Sequence, residues 1–294
     1  MSSLPFDQLD GFTWIDGEFV SAREAKIHVL THGLHYGGAV FEGIRAYGGK
    51  IFKLTEHIVR LHESAQIIGF EISFPVSEIE EACRALLKKQ NMPYAYLRPV
   101  AWRGSEVMGV SARNSRIHCA VAAWEWPSYF DPIKRLEGIR LDIAKYRRPD
   151  PETAPSKSKA AGLYMICTLC KDAALDKGYA DALMLDWRGR IAEATGANIF
   201  FVEGGKLHTP TPDCFLDGIT RRTVVDLARR RGIDVVERAI EPSEMEVFEE
   251  CFLSGTAAEL TPVSEVGPYR FRAGEISNML INDYHAECHA QGTD

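Results

Sequence analysis

A chain of 294 residues is long enough to bury a large core and to divide into two domains. Its 46% hydrophobic and 26% charged residues are ordinary for a globular protein and exclude a disordered chain. A formal charge of −7, no basic leader ahead of an apolar stretch, and no uncharged apolar run near the ~20 residues that span a bilayer argue against nucleic-acid binding, secretion and membrane insertion. A cytoplasmic protein is expected, with its seven scattered cysteines as reduced thiols.

In chain order, FTWIDGEFV places Asp16-Gly17 between two short apolar runs, which predicts a β-hairpin. Residues 55–69 read as an amphipathic helix with Thr55 as N-cap, apolar Ile58, Leu61, Ala65 and Ile68, and Gly69 as its end. A second helix starts at Ser77, where SEIE has the spacing of a capping box and Ile79, Ala82, Cys83, Leu86 and Leu87 form the inward stripe. Two strands follow at 94–102 and 116–126, so the first half is an α/β or α+β domain. Aromatic and proline residues break the pattern near 126–138. Residues 1–126 are therefore expected as an N-terminal domain, 127–137 as a connector and 138–294 as a second domain.

Beyond the connector come a strand at 139–146 and an irregular loop whose prolines at 149, 151 and 155 forbid a helix. A helix is expected over 160–177, ending at Gly178. The short runs ALMLD, RIAEA, NIFFV and KLHT, separated by tight turns, predict a largely antiparallel sheet. A helix from about Thr220 to Arg231, a capped helix at SEME, the strand CFLSG and a last helix near 275–290 complete the chain.

Several chemical motifs are set aside. Cys167 and Cys170 form a CxxC inside a predicted helix with no second CxxC, which reads as core packing. His285 and His289 lie four apart, but HAECH lacks the glutamate position of the zinc-protease motif. His32 and His35, among glycines and aromatics, read as structural. No GxSxG elbow, phosphate-binding P-loop or strand-linked GxGxxG is present.

A different constellation survives. Gly218, Ile219 and Thr220 open a helix whose amides and dipole suit a phosphate. Gly255 and Thr256 follow a strand, where amides and a hydroxyl also meet anions. Glu193 lies among small and apolar residues and needs a cationic or donor partner. With a lysine in PSKSKAAGLY, these groups suggest pyridoxal 5'-phosphate, whose sites pair a lysine amine with an acid at the pyridine nitrogen. Sequence chemistry alone leaves Lys157 and Lys159 both open.

HGLHYGGAVFEGIRAY, RLHESA, AYLRP, KAAGLY, EATGANIF, LDGITR and SGTAAELTPV, in this order, resemble the class IV aminotransferases of PLP fold type IV, and most closely the branched-chain amino acid aminotransferases. The resemblance runs from about residue 12 to 285. It implies a small N-terminal α/β domain, a larger C-terminal pseudo-barrel domain that binds the cofactor, and a homodimer or multiple of dimers in which a neighbouring loop closes each site.

The resemblance makes Lys159, five residues before Tyr164, the lysine that carries the cofactor, and leaves Lys157 as a bystander. Tyr164 is implied at the cofactor's phenolic oxygen and Glu193 at its pyridine nitrogen. Arg60, Ile219, Thr220 and Thr256 are implied at the phosphate, with Leu216 against the ring. Tyr36, Phe41, Gly43, Tyr96 and Arg98 match the substrate pocket, and Thr256 and Ala257 match the carboxylate site. The implied reaction is ping-pong transfer from branched-chain L-amino acids (Leu, Ile, Val) to 2-oxoglutarate. The alternatives are D-amino acids or (R)-amines as donors, or a cofactor-binding scaffold without this activity. D-amino acid transaminases of this fold carry Arg-x-His in the loop; here Arg113 is followed by Ser115, whereas Arg116 and His118 have the spacing but fall on the strand leaving the loop and read as structural. Trp102-Arg103-Gly104 is bulkier than usual at this loop and could alter donor or acceptor range.

Overall fold

The computed structural model describes residues 5–126 and 137–290. These form two compact units, one of residues 5–126 with 158–162, the other of residues 137–157 with 163–290. The expected connector lies, over 127–136, outside the described residues.

The first unit is built on an antiparallel seven-stranded sheet. Strands β1 (Phe12–Ile15) and β2 (Glu18–Ser21) form the expected hairpin. Both turn residues, Asp16 at φ 49° and Gly17 at φ 98°, take the left-handed backbone that a two-residue turn requires. The sheet order is β2-β1-β7-β6-β4-β5, with β3 (Ala39–Phe41) also on β6. Here β4 is Ile44–Tyr47, β5 Lys50–Ile51, β6 Ala95–Arg103 and β7 Ile117–Glu125. Strands β3 and β4 pair with the same edge of β6 and are one strand interrupted at Glu42-Gly43, opposite Pro99 and Arg98. Proline has no N–H to give the ladder, and there only the Glu42 amide bonds across, to Pro99 O at 2.8 Å. A short helix α1 (His32–Tyr36) precedes β3 and ends at Gly37, φ 66°.

Helices α2 (Leu54–Ile67) and α3 (Val76–Gln90) bury the predicted stripes, with Ile58, Leu61, Ile79 and Leu86 fully enclosed. Their starts differ from expectation. The N-cap of α2 is Lys53, and α3 begins after Pro75, in both cases without a side-chain cap. Instead, Thr55 Oγ1 donates to Glu80 Oε1 at 2.5 Å, which ties the two helices together.

The second unit carries a mixed nine-stranded sheet in the order β10-β9-β8-β15-β14-β11-β12-β13. Its strands are β8 (Ile139–Ile143), β9 (Asp181–Leu185), β10 (Ile191–Ala194), β11 (Asn198–Glu203), β12 (Lys206–Pro210), β13 (Val235–Arg238), β14 (Glu250–Gly255) and β15 (Glu259–Val266), with β16 (Tyr269–Arg270) on β15. Pairs β8/β9, β8/β15 and β12/β13 are parallel, so the sheet is less antiparallel than expected. Phe201 stacks on Phe248 in a core that also holds Leu141, Leu183 and Leu253.

Helix α4 (Met165–Asp176) starts later than predicted, because a 3-10 turn at Ala161–Tyr164 precedes it. Helices α5 (Ile219–Arg230) and α6 (Glu275–Ala290) fall where expected. The capped helix at SEME is a 3-10 turn, Pro242–Glu246, whose capping box is formed by Glu241 and Glu244. No helix among the described residues is long and apolar enough to cross a membrane.

Candidate active site

In the first unit Lys159 lies on an extended segment, not in a helix. Ala160 bridges Val40 of β3, and Phe41 N donates to Lys159 O at 3.2 Å. Ser64 of α2 completes the clamp: Lys159 N donates to its Oγ at 3.0 Å, and Ser158 Oγ donates to its carbonyl at 2.9 Å. The backbones of Gly37 and Gly162 pack closely, and a Cβ on Gly37 would lie 3.1 Å from the Gly162 Cα. The Phe41 ring meets two basic side chains, with Lys159 Nζ 5.0 Å and the Arg98 guanidinium carbon 4.7 Å from its centroid. Arg98 also approaches the rings of Tyr96 and Trp124. Gly43 is required here, because a Cβ would fall 1.8 Å from the Tyr96 hydroxyl.

Beneath this surface is an ion-pair cluster. Arg60 donates through Nε to Glu42 Oε1 at 2.7 Å and through Nη2 to Oε2 at 2.8 Å, and His57 Nδ1 lies 2.7 Å from Oε2. Burial alone would raise the Glu42 carboxyl, but the Arg60 guanidinium charge and the hydrogen bonds from His57 and Arg60 overcome it and hold the group far below the usual range. Burial lowers His57, only partly offset by Glu42, so the imidazole is neutral and donates through Nδ1.

In the second unit Glu193 sits on β10 and is 9% exposed. Its Oε1 lies 3.3 Å from Arg148 Nε, and its Oε2 accepts from Asn198 Nδ2 at 3.2 Å. The same amide donates to Leu216 O at 3.0 Å, which fixes the chain just before α5. Gly218 is the α5 N-cap and supplies no side-chain acceptor; a Cβ there would sit 2.2 Å from Asn198 Oδ1. Ser254, directly opposite Asn198 on β14, is buried, and its hydroxyl has no partner among the described residues. Thr256 and Ala257 occupy the turn between β14 and β15. Ala257 shares a cavity of about 240 Å3 with Tyr164, Cys167 and Gly196.

Against known families, residues 39–266 match the model for amino-transferase class IV. The branched-chain-amino-acid aminotransferase of Pseudomonas aeruginosa is 40% identical over 90% of this chain and 88% of its own length. The chain belongs to the class IV aminotransferases.

Solved members of the family have the same fold. A branched-chain aminotransferase from Thermoproteus uzoniensis, solved with norvaline, superposes with a TM-score of 0.92 at 33% identity over 96% of each chain. The branched-chain amino acid aminotransferase from Thermobaculum terrenum, solved in its PLP-bound holo form, gives 0.87 at 28% identity over 96% of this chain and 95% of its own. The fold class expected from the sequence is thereby borne out.

Within this aminotransferase, the first unit gathers Phe41, Gly43, Arg60, Tyr96, Arg98 and Lys159, whereas Tyr36 is 47% exposed on α1. The second gathers Tyr164, Glu193, Leu216, Ile219, Thr220, Thr256 and Ala257. Sequence reading missed Glu42, His57, Ser64, Arg148 and Asn198. The signal for His57 was its position three residues before Arg60, on the same helix face. Arg148 sat in a proline-rich loop with nothing to mark it as buried.

Features set aside in the sequence behave as structure. Cys167 and Cys170 are buried with Ala174 and Met184, and all seven cysteines are free. Burial pushes the Cys167 thiol up to about 11, although Arg148 Nη1 donates to it at 3.3 Å. His118 Nδ1 lies 2.6 Å from Asp16 Oδ2, and its ring stacks on Trp102. Arg103 donates to Ile68 O, Gly69 O and Ala112 O, so Trp102 and Arg103 are anchors at the loop's base. Among the described residues the one three-residue cluster able to hold a metal ion is Asp186, Asp213 and Cys214, and Arg188 already bridges its carboxylates at 2.7 and 2.6 Å.

Proposed function

We propose that this aminotransferase moves the amino group of leucine, isoleucine and valine to 2-oxoglutarate, using pyridoxal 5'-phosphate in two alternating half-reactions. The observation that carries the reading is Glu193, a buried carboxylate held by Arg148 and Asn198 beside an uncapped helix start. The residues of the second unit fit the cofactor. The first-turn amides of Ile219 and Thr220 have no side-chain cap, and the Ser254 hydroxyl beside Asn198 has no partner among the described residues.

When bound, pyridoxal 5'-phosphate supplies an electron sink that lets the α-proton of an amino acid leave. Lys159 would hold the cofactor through its amine, and the same amine, once free, would carry the substrate's α-proton. Glu193 keeps a proton on the pyridine nitrogen, which strengthens the sink. Tyr164 bonds the phenolic oxygen, and Leu216 packs on the ring. Arg60, Thr256 and the amides of Ile219 and Thr220 bind the phosphate. Thr256 and Ala257 also hold the substrate carboxylate through their amides. Phe41, Gly43, Tyr96 and Arg98 form the side-chain pocket, in which aromatic surface suits branched aliphatic donors and the Arg98 cation suits the distal carboxylate of 2-oxoglutarate. The placement of His118 against Asp16 and Trp102 favours L-amino acids over the D-amino acid alternative, because it ties that histidine into the sheet.

The working form is a homodimer or a multiple of dimers, in the cytoplasm. In support, Ile27, Val29, Leu34 and Tyr36 are 47 to 68% exposed. Met108 and Val110 are exposed too, on the loop that His32 Nε2 holds at Gly109 O, 2.9 Å away. Such apolar surface suits a second copy, whose pocket Tyr36 completes. Incubation with L-leucine and 2-oxoglutarate tests the activity: equal amounts of the branched 2-oxo acid and L-glutamate are expected. Formation of neither product overturns the reading.

A further inference from the structure

Glu42 is fully enclosed, between the buried Val40 and Ile44. A buried carboxylate is costly unless it is paired, and a buried ion pair is itself no strong source of stability compared with an apolar packing. Two arginine nitrogens, one histidine nitrogen and, at 3.3 Å, the Gly43 amide converge on this single group. What they fix is direction. The guanidinium is planar, and Nε with Nη2 is its side-on edge, so seating both on one carboxylate fixes the orientation of the opposite edge, which carries Nη1. Arg60 retains 12% of its side-chain exposure, whereas Glu42 has none and His57 only 2%. The pair is therefore sealed on the carboxylate side, and what exposure it keeps lies on Arg60.

His57 holds the carboxylate in turn. It lies one turn before Arg60 on α2, and its Nδ1 donor shares Oε2 with Arg60 Nη2. The carboxylate consequently cannot rotate without losing a bond to one of the two. Arg60 is the only residue proposed at the phosphate whose direction would otherwise depend on a long, flexible side chain; the others are backbone amides and short side chains.

We infer that Glu42, braced by His57, is a positioning residue for the cofactor: it aims the outer edge of Arg60 at the phosphate of pyridoxal 5'-phosphate. The inference rests on the proposed function, because it takes Arg60 to be a phosphate ligand. Neither Glu42 nor His57 touches the cofactor in this account. Loss of either should weaken the hold on the phosphate and leave the hold on the ring intact.

The test compares two ligands on the full-length chain, pyridoxal 5'-phosphate and pyridoxal, which has the same ring and aldehyde without the phosphate. Absorbance titrations would give dissociation constants for the wild type, Glu42→Gln, His57→Phe and His57→Asn, with folding checked by circular dichroism. Glu42→Gln and His57→Phe should weaken pyridoxal 5'-phosphate about tenfold or more, the scale of a hydrogen bond to a charged group. Pyridoxal binding should not change. His57→Asn, which keeps a donor near the Nδ1 position, should restore wild-type affinity and keep the inference testable if Glu42→Gln does not fold. Equal weakening of both ligands in Glu42→Gln or His57→Phe, or no weakening of either, would overturn the inference. A wild type that binds pyridoxal 5'-phosphate no more tightly than pyridoxal would instead remove Arg60 from the phosphate, and a wild type that binds neither would remove the proposed function itself.

Discussion

Two lysines one residue apart have opposite circumstances. Lys157 is exposed, whereas Lys159 is half-buried, clamped through its backbone by Ser64 and Phe41, with its amine over the Phe41 ring. Lys159→Ala should abolish the yellow colour of the purified protein and cut turnover on the order of a thousandfold, the range of a lost acid-base group. Lys157→Ala should retain both, and absorbance with steady-state rates checks the pair. In the sequence these lysines are told apart only by the family resemblance, through its spacing to Tyr164. It said nothing of Glu42, Arg148 or Asn198, because each acts on another side chain across the fold. Buried polar residues of that kind carry no local pattern: Glu42 reads as one more charge in a strand until the partners 15 and 18 positions away are seen.

At the scale of elements, periodicity located helices and strands well, and cap chemistry located their starts poorly. The inward stripes of α2 and α3 are where the sequence put them, since apolar spacing reports which face is buried. Thr55 and Ser77 failed as caps because Lys53 and Pro75 set the entries, and Thr55 bonds Glu80 of the neighbouring helix instead. The start of α5 was legible because Gly218 marks it. Its glycine is dictated by Asn198, so Gly218→Ala should displace that amide, lower stability by roughly 1 to 3 kcal/mol and weaken cofactor binding. Thermal denaturation with and without cofactor measures both. The first unit should also respond to acid. Glu42 has its carboxyl held below the ordinary 4.5, and His57 its imidazole below the ordinary 6.5, so for both the unfolded chain takes up protons before the folded one. Their stability contribution is therefore complete above about pH 6.5 and is lost as pH falls, first through His57 and then, below about 4.5, through Glu42. The melting temperature should drop over that window, and His57→Asn should flatten its upper part; a melting temperature independent of pH between 7 and 5, on the order of two units, would contradict this.

For the whole molecule, composition excluded several partners and the ordered motifs named the family, but neither disclosed that residues 158–162 group with the first unit rather than with the sequence around them. That grouping depends on β3 and Ser64 and is invisible to any local reading. The exposed apolar residues of α1 and of the loop at Met108 and Val110 predict self-association. Light scattering should give the mass of a dimer or a multiple of one, and Val110→Asp should shift it toward the monomer; a wild-type monomer would remove the proposed role of Tyr36. L-specific transamination of branched-chain substrates is the activity proposed for the whole molecule. A single half-reaction measures it most directly: purified holoenzyme, without acceptor, is mixed in turn with L-leucine, L-glutamate and D-alanine while its yellow absorption band is followed. Rapid loss of the band with L-leucine and L-glutamate, and none with D-alanine, is the predicted result; loss with D-alanine and persistence with L-leucine would contradict it.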